Sequence, residues 1–238
     1  MNTFRNSSIL VLAVVVSSAL LARAGARGGA TGNAPPLSPT NFIVPAGTGE
    51  KAPNAAGFLQ RWLVLEPIPA NGVTQSAVQA MVKKEYFPNQ FTVIPHDGDK
   101  VTVNGTELTW HALDTKFFNF STYHYGFMFN KPTTANVLMW VVTIVNCPEE
   151  MHNVRLAIGS NDASVWWVNG QEVIGIYGDR PNIIDDGVSK KLTLKKGANV
   201  IRCALHNQQG MNDFCARFLD ANDKPISNLT INLNSATN

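Results

Sequence analysis

The fold class this sequence predicts is an all-β, antiparallel sandwich of jelly-roll type, with at most one or two short helices. Three observations predict it. From residue 58 onward, apolar runs bounded by turn residues recur about every ten positions. Asn-Gly pairs at 104–105 and 169–170 stand between such runs, where a type I′ hairpin turn needs two consecutive residues of positive φ. The run 200–206 alternates: Ile201, Cys203 and Leu205 share one face, and Val200, Arg202, Ala204 and His206 the other.

The elements follow in order. Arg5 gives a positive start to an apolar run from Ile9 to Leu21, which Ser17 and Ser18 interrupt before Ala22-Arg23-Ala24 offers a small-x-small cleavage signature. Residues 1–24 therefore read as a secretory signal peptide, and the run is short for a membrane span. That reading predicts a secreted or periplasmic protein, free of the membrane after cleavage. Residues 25–57 are rich in Gly, Ala and Pro with few large apolar side chains. Such a composition buries too little surface to offset its ordering entropy, so it reads as a flexible linker. Residues 58–238 amount to one domain.

Within that domain RWLVLEPIP opens as a strand that two prolines end. VTQSAVQAMVKKEYF holds the best helical pattern, with Val73, Ala77, Ala80, Met81 and Lys84 spaced for one face. KVTVNGTELTW is a hairpin. NVLMWVVTIVN is apolar from Val137 to Val145 apart from Thr143, as expected of a strand covered on both faces. VRLAIGS, ASVWWVNGQEVIGIY, KLTLKKGANVIRCALHN, DFCARFLDA and NLTINL supply the remaining strands, with a tight turn at Lys195-Lys196-Gly197. The two Asn-Gly hairpins echo each other, but nothing around them repeats.

Composition excludes some partners. The net charge is +2, charged residues make up 15% of the chain and the lysines are scattered. Nucleic acid needs a concentrated basic face, so it is not an expected partner. Three cysteines do not form a disulfide framework. Cys203 and Cys215 either face each other across a hairpin or serve as small buried hydrophobes.

Trp166 and Trp167 are adjacent in a strand and must point to opposite faces. One fills the interior. Its neighbour faces a loop, a helix or solvent. Sugar sites combine an aromatic plate with amide or charged groups that take the hydroxyls. Trp167, Tyr177, Asp179 and Arg180, with Tyr123 and His124 from FFNFSTYHYGF, form a candidate ligand-binding groove on that logic. The competing reading places both tryptophans in the core.

Several of these motifs resemble the jelly-roll, galactose-binding-like modules of bacterial polysaccharide-degrading proteins. The matching pieces are Asn161-Asp162, Trp167-Val168-Asn169-Gly170, the segment Leu194 to Asn199, and Phe214 to Phe218, with RWLVLEPIPANG as the opening and Glu66 where Gly is usual. EYFPNQFTVIP and IGSNDASVWWVNGQEVIGIYGDR are similar to short secreted proteins labelled acetylxylan esterase. The resemblance implies a polysaccharide partner of xylan type. It also implies that a structural calcium would find oxygen donors in Asp97, Asp99, Asp185 and Asp186, which equally read as polar turns. No other cofactor is expected.

The esterase label finds little chemical support in the residues. A serine esterase needs Ser, His and an orienting acid, and neither a G-x-S-x-G elbow nor a Gly-Asp-Ser is present. Ser160, Ser121 with His124, and His206 near Asp213 are the candidates, with no catalytic set singled out. Five histidines show no H-x-x-x-H spacing for a zinc. The sequence thus predicts a carbohydrate-binding protein acting in xylan or related polysaccharide breakdown, with acetylxylan esterase and non-catalytic accessory subunit as alternatives.

Overall fold

A computed structural model describes residues 42–72, 74–129, 135–210 and 212–234, apart from the side chain of Phe127. The segment read as a signal peptide, and residues 25–41 of the expected linker, lie outside the described residues. In chain order the elements are β1 (Ile43–Pro45), β2 (Arg61–Leu65), β3 (Ile68–Pro69), α1 (Gln75–Val82), β4 (Lys100–Val103), β5 (Thr106–Thr115), β6 (Phe120–Ser121), α2 (Thr122–Met128), β7 (Val137–Cys147) and β8 (Met151–Ser160). They continue with β9 (Ala163–Val168), β10 (Gln171–Ile176), β11 (Gly187–Val188), β12 (Leu192–Leu194), β13 (Gly197–Asn207), β14 (Asp213–Leu219) and β15 (Thr230–Ile231).

The strands form two antiparallel sheets, packed as a sandwich. The larger runs β1-β5-β2-β7-β13-β9-β10, with β4 on β5 and with β3 and β15 on β7. The smaller runs β11-β8-β14-β6, with β12 on β8. Central β7 pairs with β13 over its whole length, from Val137↔Asn207 to Cys147↔Gly197. Its residues are buried on both faces, as a continuously apolar strand requires.

Burial on both faces of the larger sheet settles the paired tryptophans. Trp166 points inward. It meets Trp62 at 6.0 Å and Phe214 of the smaller sheet at 5.7 Å, and its indole nitrogen donates to Ser164. Trp167 points to the other face, 5.5 Å from Trp140 and 5.7 Å from Phe91. Here Val78 and Val82 of α1 are buried with Phe87 in the same apolar cluster, which continues over this face of the sheet. Each indole removed from water contributes at most about 4–6 kcal/mol of transfer free energy. Both rings are structural, one in each of two apolar layers.

Local chemistry explains the connections. Thr74 caps α1, its hydroxyl accepting from the Ala77 amide at 3.2 Å. Asn104 and Gly105 have φ of 49° and 80°, Asn169 and Gly170 of 51° and 81°, as type I′ turns require. The Lys195-Lys196-Gly197 turn does not close a hairpin. It joins β12, which pairs with β8, to β13 in the other sheet. Asn199 holds it. Its amide donates to the Lys195 and Gly197 carbonyls at 2.8 and 3.0 Å, and its Oδ1 accepts from the Lys195 amide at 2.9 Å. Asn169 of the neighbouring hairpin donates to the same Oδ1 and accepts from the Val200 amide.

The expectation of a flexible linker as far as residue 57 does not hold for residues 42–57. Ile43 to Pro45 pair with Thr115 to Leu113, Ile43 is fully buried, and Lys51 bridges to Ile231. Few large apolar residues suffice because each finds a preformed sheet edge. Cys147, Cys203 and Cys215 are buried free thiols, Cys203 and Cys215 lying in different sheets. Burial pushes the Cys147 and Cys215 thiols up, to about 11 and about 12.

Candidate functional site

The hollow richest in recognition chemistry opens where β1, the loop after β5, β6 and the start of β14 meet. Its volume is about 320 Å³, and Phe42, Phe117, Asn119, Ser121, His124, Asn161, Asn212 and Asp213 line it. That lies at the lower end of the range typical of small-molecule pockets, about 300–1,000 Å³.

One wall is aromatic. The Phe42 ring stacks on the His124 imidazole with centroids 3.8 Å apart, and Phe117 lies 5.3 Å from Phe42. Phe117 stays 47% exposed, although Phe is among the residues most often buried. The loop that presents it is tied down. Thr115 donates through its hydroxyl to the Asn119 carbonyl at 2.7 Å, Gln60 donates to the Phe117 carbonyl at 2.8 Å, and the Lys116 amide donates to the Phe42 carbonyl at 2.9 Å. Tyr123 stands edge-on to His124 at 5.7 Å and is 38% exposed.

The other wall is polar. The Asn119 amide donates to the Asp213 carboxylate, and the Asn161 backbone N–H donates to the Asp213 carbonyl. Thr122 fixes the Asn212 backbone, its N–H and its hydroxyl both donating to the Asn212 carbonyl at 2.9 Å. The Asn212 side chain is buried, and its Oδ1 has no hydrogen-bond partner. Burial lowers the pKa of His124, which keeps the imidazole neutral near pH 7.

The sequence-derived candidates divide between places. His124 lines this hollow; Tyr123 packs edge-on against His124 but is not part of the lining. Trp167 is only 7% exposed and sits under Phe91, so it presents no plate to solvent. Tyr177 lies over Gly175 near Lys83 and Glu172. Arg180 is paired with Asp186. Asp179 lines a smaller hollow of about 160 Å³ with Asp162, His206 and Gln208. There Asp162 accepts from the Gln208 amide at 2.8 Å, and burial raises its pKa. Burial lowers the pKa of His206, while its hydrogen bond to the Ala70 carbonyl and the charge of Asp162 oppose that shift. Of the wider aromatic set, Phe118 packs near Phe58 and Tyr125 is fully buried against His111 and Phe129.

Among the described residues no serine hydroxyl hydrogen-bonds a histidine ring. Ser160 is fully buried and bonded to Ser164 at 2.9 Å, out of reach of a substrate. Ser121 accepts from the His124 backbone N–H, not from its ring. The carboxylates named for calcium do not fit one. Asp185 pairs with Arg217 and Asp186 with Arg180, while Asp97 and Asp99 accept backbone amides of Ala112 and His96. Among the described residues no three His, Cys, Asp or Glu side chains cluster as metal ligands. No described helix is long and apolar enough to cross a membrane.

Sequence reading missed Phe42, Phe117, Asn119 and Asn212 as site residues and named Asp213 only as a possible acid beside His206. Phe42 fell inside the expected linker, and the others are brought together only by the pairing of β6 with β14.

The sequence matches no family model and no curated protein. Solved structures give distant likenesses. A PA14 sugar-binding domain from an RTX adhesin aligns with 71% of this chain and 95% of its own, at 10% identity and a TM-score of 0.41. The PA14 domain of the MpAFP antifreeze protein aligns with 79% of this chain and 96% of its own, at 12% identity and a TM-score of 0.42. A GH31 alpha-xylosidase from Xanthomonas citri aligns with 79% of this chain but 19% of its own, at 10% identity and a TM-score of 0.36. Likenesses this distant assign neither a family nor a ligand to the chain.

Proposed function

We propose that the protein is a carbohydrate-binding module that takes a sugar in the hollow of about 320 Å³, with xylan or a related polysaccharide as the partner and a secreted or periplasmic setting. The observation that supports this reading most is the opposition of the two walls. Phe42 and Phe117 offer ring faces to the apolar C–H face of a pyranose. Asn119, Asn161 and Asp213 offer acceptors and donors to its hydroxyls. A half-exposed Phe117 held by three tied backbone positions is pre-organised, so little ordering entropy opposes binding.

The test is affinity electrophoresis of the full chain in gels containing soluble xylan, with retention on insoluble xylan as a second measurement. Retarded migration that Phe117→Ala and Asp213→Asn each weaken by about tenfold or more is the expected result. Unretarded migration in xylan and in a panel of other plant polysaccharides would sink the proposal. Release of acetate from acetylated xylan by the purified chain would replace it with the esterase alternative.

A further inference from the structure

The outer face of the larger sheet holds a buried cation without a counter-ion. Arg202 lies mid-way along β13, opposite Trp167 on one side and Val142 on the other. It is 4% exposed. Its Nη2 donates to the Val93 carbonyl at 2.7 Å, but its Nη1 is buried and has no hydrogen-bond partner. Among the described residues no carboxylate pairs with it. Asp114 is taken by Arg61 and Glu172 by Lys83. The residues outside the described set include no Asp or Glu at all, so the chain has no further side-chain carboxylate to supply. Burial lowers the guanidinium pKa only to about 10, so it stays charged at neutral pH. Buried charges in proteins are paired as a rule, because removing one from water without a partner costs several kcal/mol.

Arg202, whose guanidinium lacks a counter-ion, lines a hollow of about 230 Å³. Phe91, Thr92, Asn169, Gly170 and Lys195 line it with Arg202. Lys195 adds a second positive charge at the rim, and Phe91 adds an aromatic wall. We infer that this hollow binds a small oxyanion, with the Arg202 guanidinium as the principal cation and Lys195 as the supporting one. A sugar-acid carboxylate and free phosphate share that chemistry. The site uses no residue of the aromatic hollow and stands independently of the function proposed for it.

Thermal unfolding of the full chain tests the inference. It is followed against rising sodium glucuronate or sodium phosphate, with sodium chloride at matched ionic strength and glucose as the neutral control. The expected result is a saturating rise in Tm with at least one oxyanion over chloride, and none with glucose. Glucuronate alone identifies a sugar acid. A response to both identifies any small oxyanion. Arg202→Met keeps the length of the side chain and removes the charge. It is expected to fold with equal or higher Tm in chloride and to weaken oxyanion binding by about tenfold or more. Lys195→Ala, in an exposed turn, keeps the test decisive if that variant does not fold, and is expected to shift the half-saturating concentration upward. Equal Tm in oxyanion and chloride would overturn the inference, as would an Arg202→Met variant that responds like the wild type.

Discussion

At the scale of single residues, burial separates the aromatic side chains that hold the fold from those left open at a hollow. Trp166→Ala and Trp167→Ala each open a cavity in an apolar layer, and each is expected to cost about 3–5 kcal/mol in urea unfolding. Phe117→Ala removes a half-exposed ring and is expected to leave the unfolding midpoint nearly unchanged while weakening sugar binding. A single experiment on the three variants thus separates packing from recognition. Asn199 is the polar counterpart. Its four hydrogen-bond contacts to Lys195, Gly197 and Asn169 lie in a fully buried side chain, so Asn199→Ala is expected to destabilise by about 2–3 kcal/mol. The sequence displayed Trp166-Trp167 and the segment Leu194 to Asn199 openly, since alternation and turn chemistry are local. It hid Phe42, Asn212 and the pairing of Asp213 with Asn119, which acquire their setting only through strands distant in the chain.

At the scale of elements, the hairpins and the single strong helix were legible because their causes are short-range. Asn-Gly sets the turns and Thr74 caps α1, but the buried face of the helix is not the expected one: Val78 and Val82 are the buried residues, while Ala77, Ala80 and Lys84 of the expected face are exposed. Gly170→Ala places a side chain at φ 81° with nothing within 4 Å of its Cβ, so its cost is backbone strain alone, about 1–2 kcal/mol. Circular dichroism melts of this variant and of Gly105→Ala are expected to give the same loss, since both turns share one geometry. Helix α2 was not legible. Its seven residues, TYHYGFM, carry three aromatics and a glycine, which have modest helix propensity, and its partners come from β5 and β1. Strand β1 escaped for a related reason. Three residues pair with Leu113 to Thr115, a partner some seventy positions away.

At the scale of the whole molecule, acid stability follows from the buried titrating groups. Burial lowers the pKa values of His206 and His124 below 6.5, so the unfolded chain binds more protons than the folded one just under that pH. Their contribution to stability is present above pH 6.5 and is lost as pH falls toward the folded values. Each unit of lowering amounts to about 1.4 kcal/mol. Burial works against the Asp114 carboxylate, but Arg61 and Lys51 outweigh it and lower its pKa, so its contribution fades only below 3.8. Asp162, with a raised pKa, acts in the opposite sense from 3.8 upward. Urea midpoints across pH 5–7 are therefore expected to fall toward acid (a window about the histidine value), and His206→Gln is expected to flatten the slope. An unchanged slope in that variant would remove His206 from the account.

The short link at Lys195 to Gly197 carries a kinetic consequence. With β12 and β13 in different sheets, the chain is laced from one layer to the other across two lysines and a glycine, and Asn199 knots the lace from within. Neither layer can peel away while its fellow stays intact. Slowly exchanging amides of β8 and β13 should therefore open at one common rate under denaturant, as a single cooperative unit, and a protein so stitched would resist proteolysis until it comes apart entirely.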